Sequence, residues 1–154
     1  MTVKPGQTYS LPDIGGAAHE AIDALHAARE RVGRVMAVVT ALAVVDILND
    51  HDHEAPFDAA HAEVIEADDG SLHATGRYWT AAGEERTFAE AVGERTAHWG
   101  VFEMNEWTPY LCDENESVWK PLVEELAPRR GQRVYRLDLA KAVALPVGSD
   151  PEAP

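Results

Sequence analysis

The residues best suited to chemistry lie in Asp50-His51-Asp52-His53-Glu54, with Asp58 and His61 shortly after. Two imidazoles two residues apart, a third eight residues on and carboxylates between them are donors that zinc or a similar divalent ion accepts. A metal held by His51, His53 and His61, assisted by Asp58, Asp52 or Glu54, could keep one position open and activate water for hydrolysis. The local field favours a cation: nine acids lie between Asp46 and Asp69, and no Lys or Arg occurs from Val35 to Gly76. The spacing nonetheless matches no established metal loop. Counted from Asp50, the positions where an EF-hand needs Gly and Glu hold Ala55 and His61. The HxHxDH pattern fails at Ala55 and Pro56, and HExxH is absent. A solvated polar loop is the simpler expectation and a zinc-type site the alternative; no other cofactor is expected.

A second set, His19, Asp23, His26 and Glu30, is spaced four, three and four, which places it on one helix face. That face lies away from the apolar stripe of the same segment, so it is expected to meet solvent. The third feature is aromatic density. Tyr78, Trp79, Phe88, Trp99, Phe102, Trp107, Tyr110 and Trp119 fall within 42 residues and include all four tryptophans, so an aromatic core or an aromatic binding surface must come from this stretch. Trp and Tyr bury much area at small rotamer cost and are enriched at binding hot spots. With the acids interleaved among them, Trp99, Glu103, Glu106, Trp107, Tyr110 and Trp119 are the candidate partner-binding residues. Glu103 and Glu106 could also be read as an acid/base pair, but the glycosidases with a comparable Asn-Glu arrangement carry it on a barrel of about 250 residues. GxSxG, P-loop and GxGxxG motifs are absent. Cys112 has no cation beside it in sequence to activate its thiol, and as the only cysteine it excludes an internal disulfide.

The net charge of −14 argues against direct nucleic-acid binding and against docking on anionic membranes. Arg129, Arg130, Arg133 and Arg136 form one basic cluster, suited to contacts with the acidic part of the chain or of a neighbouring copy. Met1–Ser10 has no apolar signal region, so the chain reads as cytoplasmic.

The elements that must position these residues are organised around Val35–Leu48, where twelve of fourteen residues are apolar. Ala18, Ile22, Leu25, Val32, Met36, Val39 and Ala43 recur at helical spacing, with Arg29 on the same stripe. Ser10-Leu11-Pro12-Asp13 supplies start signals. The pattern predicts a helix over Gly16–Leu48, continuous or divided near Gly33, too short in its apolar part to span a bilayer. Being apolar all round after Gly33, it must be buried in its own domain or against a partner. Ala62–Ala67 and Leu72–Trp79 flank Asp68-Asp69-Gly70-Ser71 and predict a hairpin. Glu85–Phe88 follows as a third strand. Thr87-Phe88-Ala89-Glu90 starts a short helix to about His98. Gly100–Leu111 reads as irregular with some strand, and Asp113 or Ser117 caps a helix through about Leu126. Arg133–Leu139 alternates as a strand, Ala140–Leu145 is ambiguous, and residues 146–154 read as a disordered tail.

The expected architecture is a single α+β domain over residues 1–145: a long N-terminal helix on an antiparallel sheet of three or four strands, with one or two short helices. The leading expectation for function is a non-catalytic intracellular binding or regulatory protein that engages a protein partner through an aromatic, acidic surface and self-associates as a homodimer. The alternatives are a metal-dependent hydrolase built on His51, His53 and His61, and an acidic mimic of nucleic acid that fills a basic groove on another protein.

Overall fold

The computed structural model describes residues 13–148 apart from His51 and His53. Helix α1 runs unbroken over Ile14–Leu48. Its N-cap is Asp13, whose carboxylate accepts from the Gly16 amide at 2.9 Å; Ser10 and Pro12 lie outside the described residues. After α1 come β1 (His61–Glu66), β2 (Leu72–Trp79) and β3 (Glu85–Thr87), then α2 (Phe88–Val92) and α3 (Glu94–Met104). Two 3₁₀ turns, a short α4 (Glu116–Trp119) and a third 3₁₀ turn lead into β4 (Val123–Arg129), β5 (Gln132–Asp138) and α5 (Leu139–Val143). The strands form one antiparallel sheet in the order β3-β2-β1-β5-β4.

The α+β class and the long N-terminal helix are as expected, but the sheet has five strands rather than three or four. The additional strand is β4, in a stretch whose sequence reads as the end of a helix. Pro121 stops the helical turn there, and Val123–Arg129 pairs with β5 as an edge strand. The expected helix ending near His98 is two helices, separated at Gly93, whose φ of 90° breaks the helical path. The second of them continues to Met104, so Gly100–Leu111 contributes helix and a 3₁₀ turn and no strand. The count of one or two short helices is therefore too low. No helix among the described residues is long and apolar enough to cross a membrane.

The core explains why α1 does not divide at Gly33. Its buried face is Gly33, Ala37, Thr40, Ala41, Val44 and Ile47, mostly small residues. These join Ala62 and Val64 of β1, Leu72, Ala74 and Tyr78 of β2, and Tyr135 and Leu137 of β5 in one cluster. Small residues mark where other segments cross closely. A Cβ on Gly33 would come within 2.9 Å of Asn115, and one on Gly100 within 2.7 Å of Ile47. Thr40 and Thr108 bring buried hydroxyls within 3.1 Å, and Thr108 also donates to the Met104 carbonyl at 3.0 Å, so the polar pair in this crossing is satisfied. Of the expected stripe, Ala18, Ile22, Leu25 and Val32 are exposed, while Met36 and Ala43 pack at the edge of the core. From Ile14 to Arg31 nearly every residue is exposed, so this half of α1 projects from the domain. Pro146, the first residue of the expected tail, accepts from the Arg34 guanidinium at 3.1 Å, and 149–154 lies outside the described residues.

Candidate functional site

Helix α3 is built with an inverted pattern. Its small or flexible residues Ala97, Gly100 and Met104 face inward at spacings of three and four, which turns the large side chains of Trp99 and Phe102 outward. The chain then turns through Trp107 into the 3₁₀ turn Thr108–Tyr110. Trp99, Phe102, Trp107 and Tyr110 are between 41% and 66% exposed. Trp99 meets Phe102 edge to face with centroids 5.8 Å apart, and Trp107 lies over Tyr110 at 6.5 Å. Glu103 and Glu106 are exposed among them. The structure therefore brings five of the six candidate partner-binding residues onto one surface. Trp119 does not join them. It is fully buried against Tyr135, with its indole N–H donating to the Cys112 carbonyl at 2.8 Å. Phe102, the most exposed of these aromatics, completes the ridge; the inward spacing of Ala97, Gly100 and Met104 is the signal that could have identified it.

Beside the ridge lies a cleft of about 1110 Å³ between α2–α3 and the polar face of the sheet, with Phe102 and Val101 on one side and Glu63, Arg77 and Arg129 on the other. Glu63 is only 2% exposed. Its carboxylate accepts from the Thr75 hydroxyl at 2.9 Å and from the Arg129 guanidinium, with Arg77 Nε at 3.8 Å. A buried carboxylate requires such partners. The hydrogen bond to Glu63 raises the Arg129 pKa further. The arrangement ties β1 to β2 and to the β4–β5 turn, and engages the carboxylate in ion pairs rather than leaving it as a free base. Two further members of the basic cluster are likewise engaged internally: Arg136 pairs with Glu124 and lies over the Trp79 ring, and Arg133 reaches Glu66 at 4.0 Å.

The histidine and acid candidates are distributed differently. His51 and His53 lie outside the described residues. His61 opens β1 with Nε2 3.9 Å from Asp138, while Asp58 accepts from the Ala81 amide at 2.9 Å and so ties the segment before β1 to the β2–β3 connection. Among the described residues no three His, Cys, Asp or Glu side chains are grouped to hold a metal ion. His19, Asp23, His26 and Glu30 are all exposed on the projecting half of α1.

Burial, aided by Arg136, holds the His61 imidazole below its ordinary 6.5, against the opposing pull of Asp138 and Glu124. Neutral His61 is thus favoured in the fold, and the unfolded chain takes up this proton first as pH falls. Its contribution to stability is complete above about 6.5 and declines as pH drops through the lowered folded value. Urea unfolding at pH 7.5 and 5.5 is expected to show a smaller acid-induced loss in His61→Gln than in the wild type. Equal losses would remove this imidazole from the pH response. No family model, curated protein or solved structure matches the chain, so the ridge and cleft are interpreted from their own geometry.

Proposed function

We propose that the chain is a non-catalytic binding protein that presents the ridge of Trp99, Phe102, Glu103, Glu106, Trp107 and Tyr110 to a protein partner. The observation that carries this reading is the outward placement of four large aromatics on one short segment while a contiguous core forms without them. Each aromatic side chain can bury about 150–250 Å², so half-exposed rings on one ridge leave an apolar patch of several hundred Å², the scale at which a patch marks an interaction site. Glu103, Glu106 and the net charge of −14 favour a partner segment that combines apolar anchors with Lys or Arg. Trp99 and Trp107 supply the central contacts, and the acids around them select the sign of the partner's charge.

A peptide library displayed on phage and selected against the immobilised full chain tests this reading. Enrichment of basic, apolar peptides is expected, with affinity falling at least tenfold in Trp99→Ser and Trp107→Ser. Both side chains are exposed, so the stability of the variants should stay within about 1 kcal/mol of the wild type. Selected peptides that bind both variants as tightly as the wild type, or a selection with no consensus, would reject the ridge as a binding surface.

A further inference from the structure

From the projecting half of α1, we infer that a second copy of the chain packs along this helix in antiparallel orientation, each copy's arm lying on the domain-backed half of the other's helix. Ile14, Leu25, Val32 and Leu42 are between 38% and 59% exposed, and they lie along a side of the helix other than the one that enters the core. Their spacing is that of a helix pair. Ala18, Leu25, Val32 and Val39 recur every seven residues, as do Ile14, Ala21, Ala28, Val35 and Leu42 three or four residues away. The core-facing Gly33, Ala37, Thr40 and Val44 fall on the other positions of the same repeat. A surface helix that only covered its own domain would need no apolar repeat on the side facing away from it.

The identity and orientation of the occupant follow from charge and register. Between Asp13 and Ala24 the helix carries Glu20 and Asp23 with no base, whereas between Leu25 and Arg34 it carries Arg29, Arg31 and Arg34 against Glu30. A parallel pair would set Arg29 and Arg31, which flank the stripe, against their own counterparts, whereas an antiparallel pair sets them against the segment around Asp23. The heptad register that spans the whole arm sets Ile14 opposite Val39, Ala18 opposite Val35, Ala21 opposite Val32, and Leu25 opposite Ala28. In that register Arg29 and Arg31 stand level with Ala24 and Ile22 of the other copy, one residue either side of Asp23. The first turn of each arm reaches the groove of about 290 Å³ lined by Val39, Leu42, Ala43, Met104 and Trp107. The stripe from Ile14 to Leu42 is about 43 Å long at 1.5 Å per residue and about 12 Å wide. Two copies therefore bury roughly 1,000 Å², the size at which a specific interface begins. The groove shares Glu103 and Trp107 with the ridge, whereas Leu25 and Val32 lie on the arm and not on α3, so a change at Leu25 tests the pair without altering the ridge.

Native mass spectrometry and analytical ultracentrifugation of the full chain test it, together with Leu25→Glu, a change on the exposed arm that leaves the core untouched. The expected result is a species of about 33.6 kDa, twice the 16.8 kDa chain, with Leu25→Glu weakening the dimer at least a hundredfold while its circular dichroism remains that of a folded protein. Orientation is read by oxidation in a Cys112→Ser background. Ala18→Cys mixed with Val35→Cys should cross-link between chains, and neither variant should do so alone. The proposal is overturned by a wild-type monomer at 100 μM, including one that binds zwitterionic or anionic vesicles through the arm. It is also overturned by a dimer indifferent to Leu25→Glu, or by Ala18→Cys cross-linking to itself, which would mean a parallel pair.

Discussion

Replacement of Trp119 by alanine is expected to lower the unfolding free energy by about 3–5 kcal/mol, the cost of emptying a fully buried aromatic site. Trp119 lies where α4 passes between α1 and the sheet. Its ring meets Tyr135 edge to face at 5.5 Å, and its N–H satisfies the Cys112 carbonyl. Lys120, the next residue, reaches back over the Tyr135 ring at 4.8 Å and holds the same corner closed. Alanine would leave a cavity too enclosed to collapse and would remove one of the two donors to the Cys112 carbonyl, which keeps only the Asn115 amide at 3.2 Å. Both losses act in the same direction. Thermal unfolding should shift downward by roughly 8–16 °C for a chain of this size. Trp119→Phe should fall between, since it restores most of the ring and none of the hydrogen bond. A Trp119→Ala protein that melts within two degrees of the wild type would contradict this account of the core.

The second large effect is expected at Asn105. This residue caps the C-terminus of α3, and its carboxamide forms two hydrogen bonds to one strand residue. Its Oδ1 accepts from the Ala74 amide at 2.8 Å, and its Nδ2 donates to the Ala74 carbonyl at 3.1 Å. Strand β3 is only three residues long and pairs with β2 from Arg77 to Trp79. Beyond its reach, Asn105 takes the place of a neighbouring strand, and the Leu111 carbonyl continues the same edge by accepting from the Leu72 amide at 2.9 Å. Asn105→Leu preserves volume but leaves two polar groups of a buried residue without partners, at a cost of about 2–4 kcal/mol. Asn105→Asp should keep the acceptor for the Ala74 amide but set a carboxylate oxygen against the Ala74 carbonyl, so it too should destabilise. Hydrogen exchange at the Ala74 amide should accelerate in the leucine variant well before the β1 amides do. If Ala74 stays as protected as in the wild type, the carboxamide does not hold this edge.

How much of this was legible in the sequence depends on what each element does with its large side chains. The hairpin was readable because Asp68-Asp69-Gly70-Ser71 carries turn chemistry and the flanking strands alternate; Asp69 accepts from the Ser71 amide at 3.0 Å and from its hydroxyl at 2.6 Å. Strand β5 was readable for the same alternation. Strand β4 was not, because an edge strand with Glu124, Glu125 and Pro128 buries almost nothing and follows no period. In α1 and α3 the difficulty was the reverse. Periodicity weights large apolar residues, but these helices cross their neighbours through Gly33, Ala37, Ala41, Ala97 and Gly100, where closeness excludes bulk. In the first half of α1 the large residues Ile22, Leu25 and Val32 stay outside, while Met36 and Ala43 of the same stripe reach the edge of the core. The same exclusion of bulk exposes Trp99, Phe102 and Trp107. Which tryptophan stays inside cannot be read from spacing alone, since Trp119 owes its burial to the irregular path from Leu111 to Leu122.

Strand β4 has one further bearing on how this protein meets others. An open sheet ends in unpaired backbone, and a free edge recruits other extended chains, including copies of itself in fibrils. Here the outer edge combines adjacent acids with a proline, which has no amide to offer, and a register shift between Leu126 and Arg129 interrupts the pairing. At high concentration or during slow refolding, that edge offers an incoming strand little to continue on. Strand-swapped assemblies and fibrils are disfavoured at this edge.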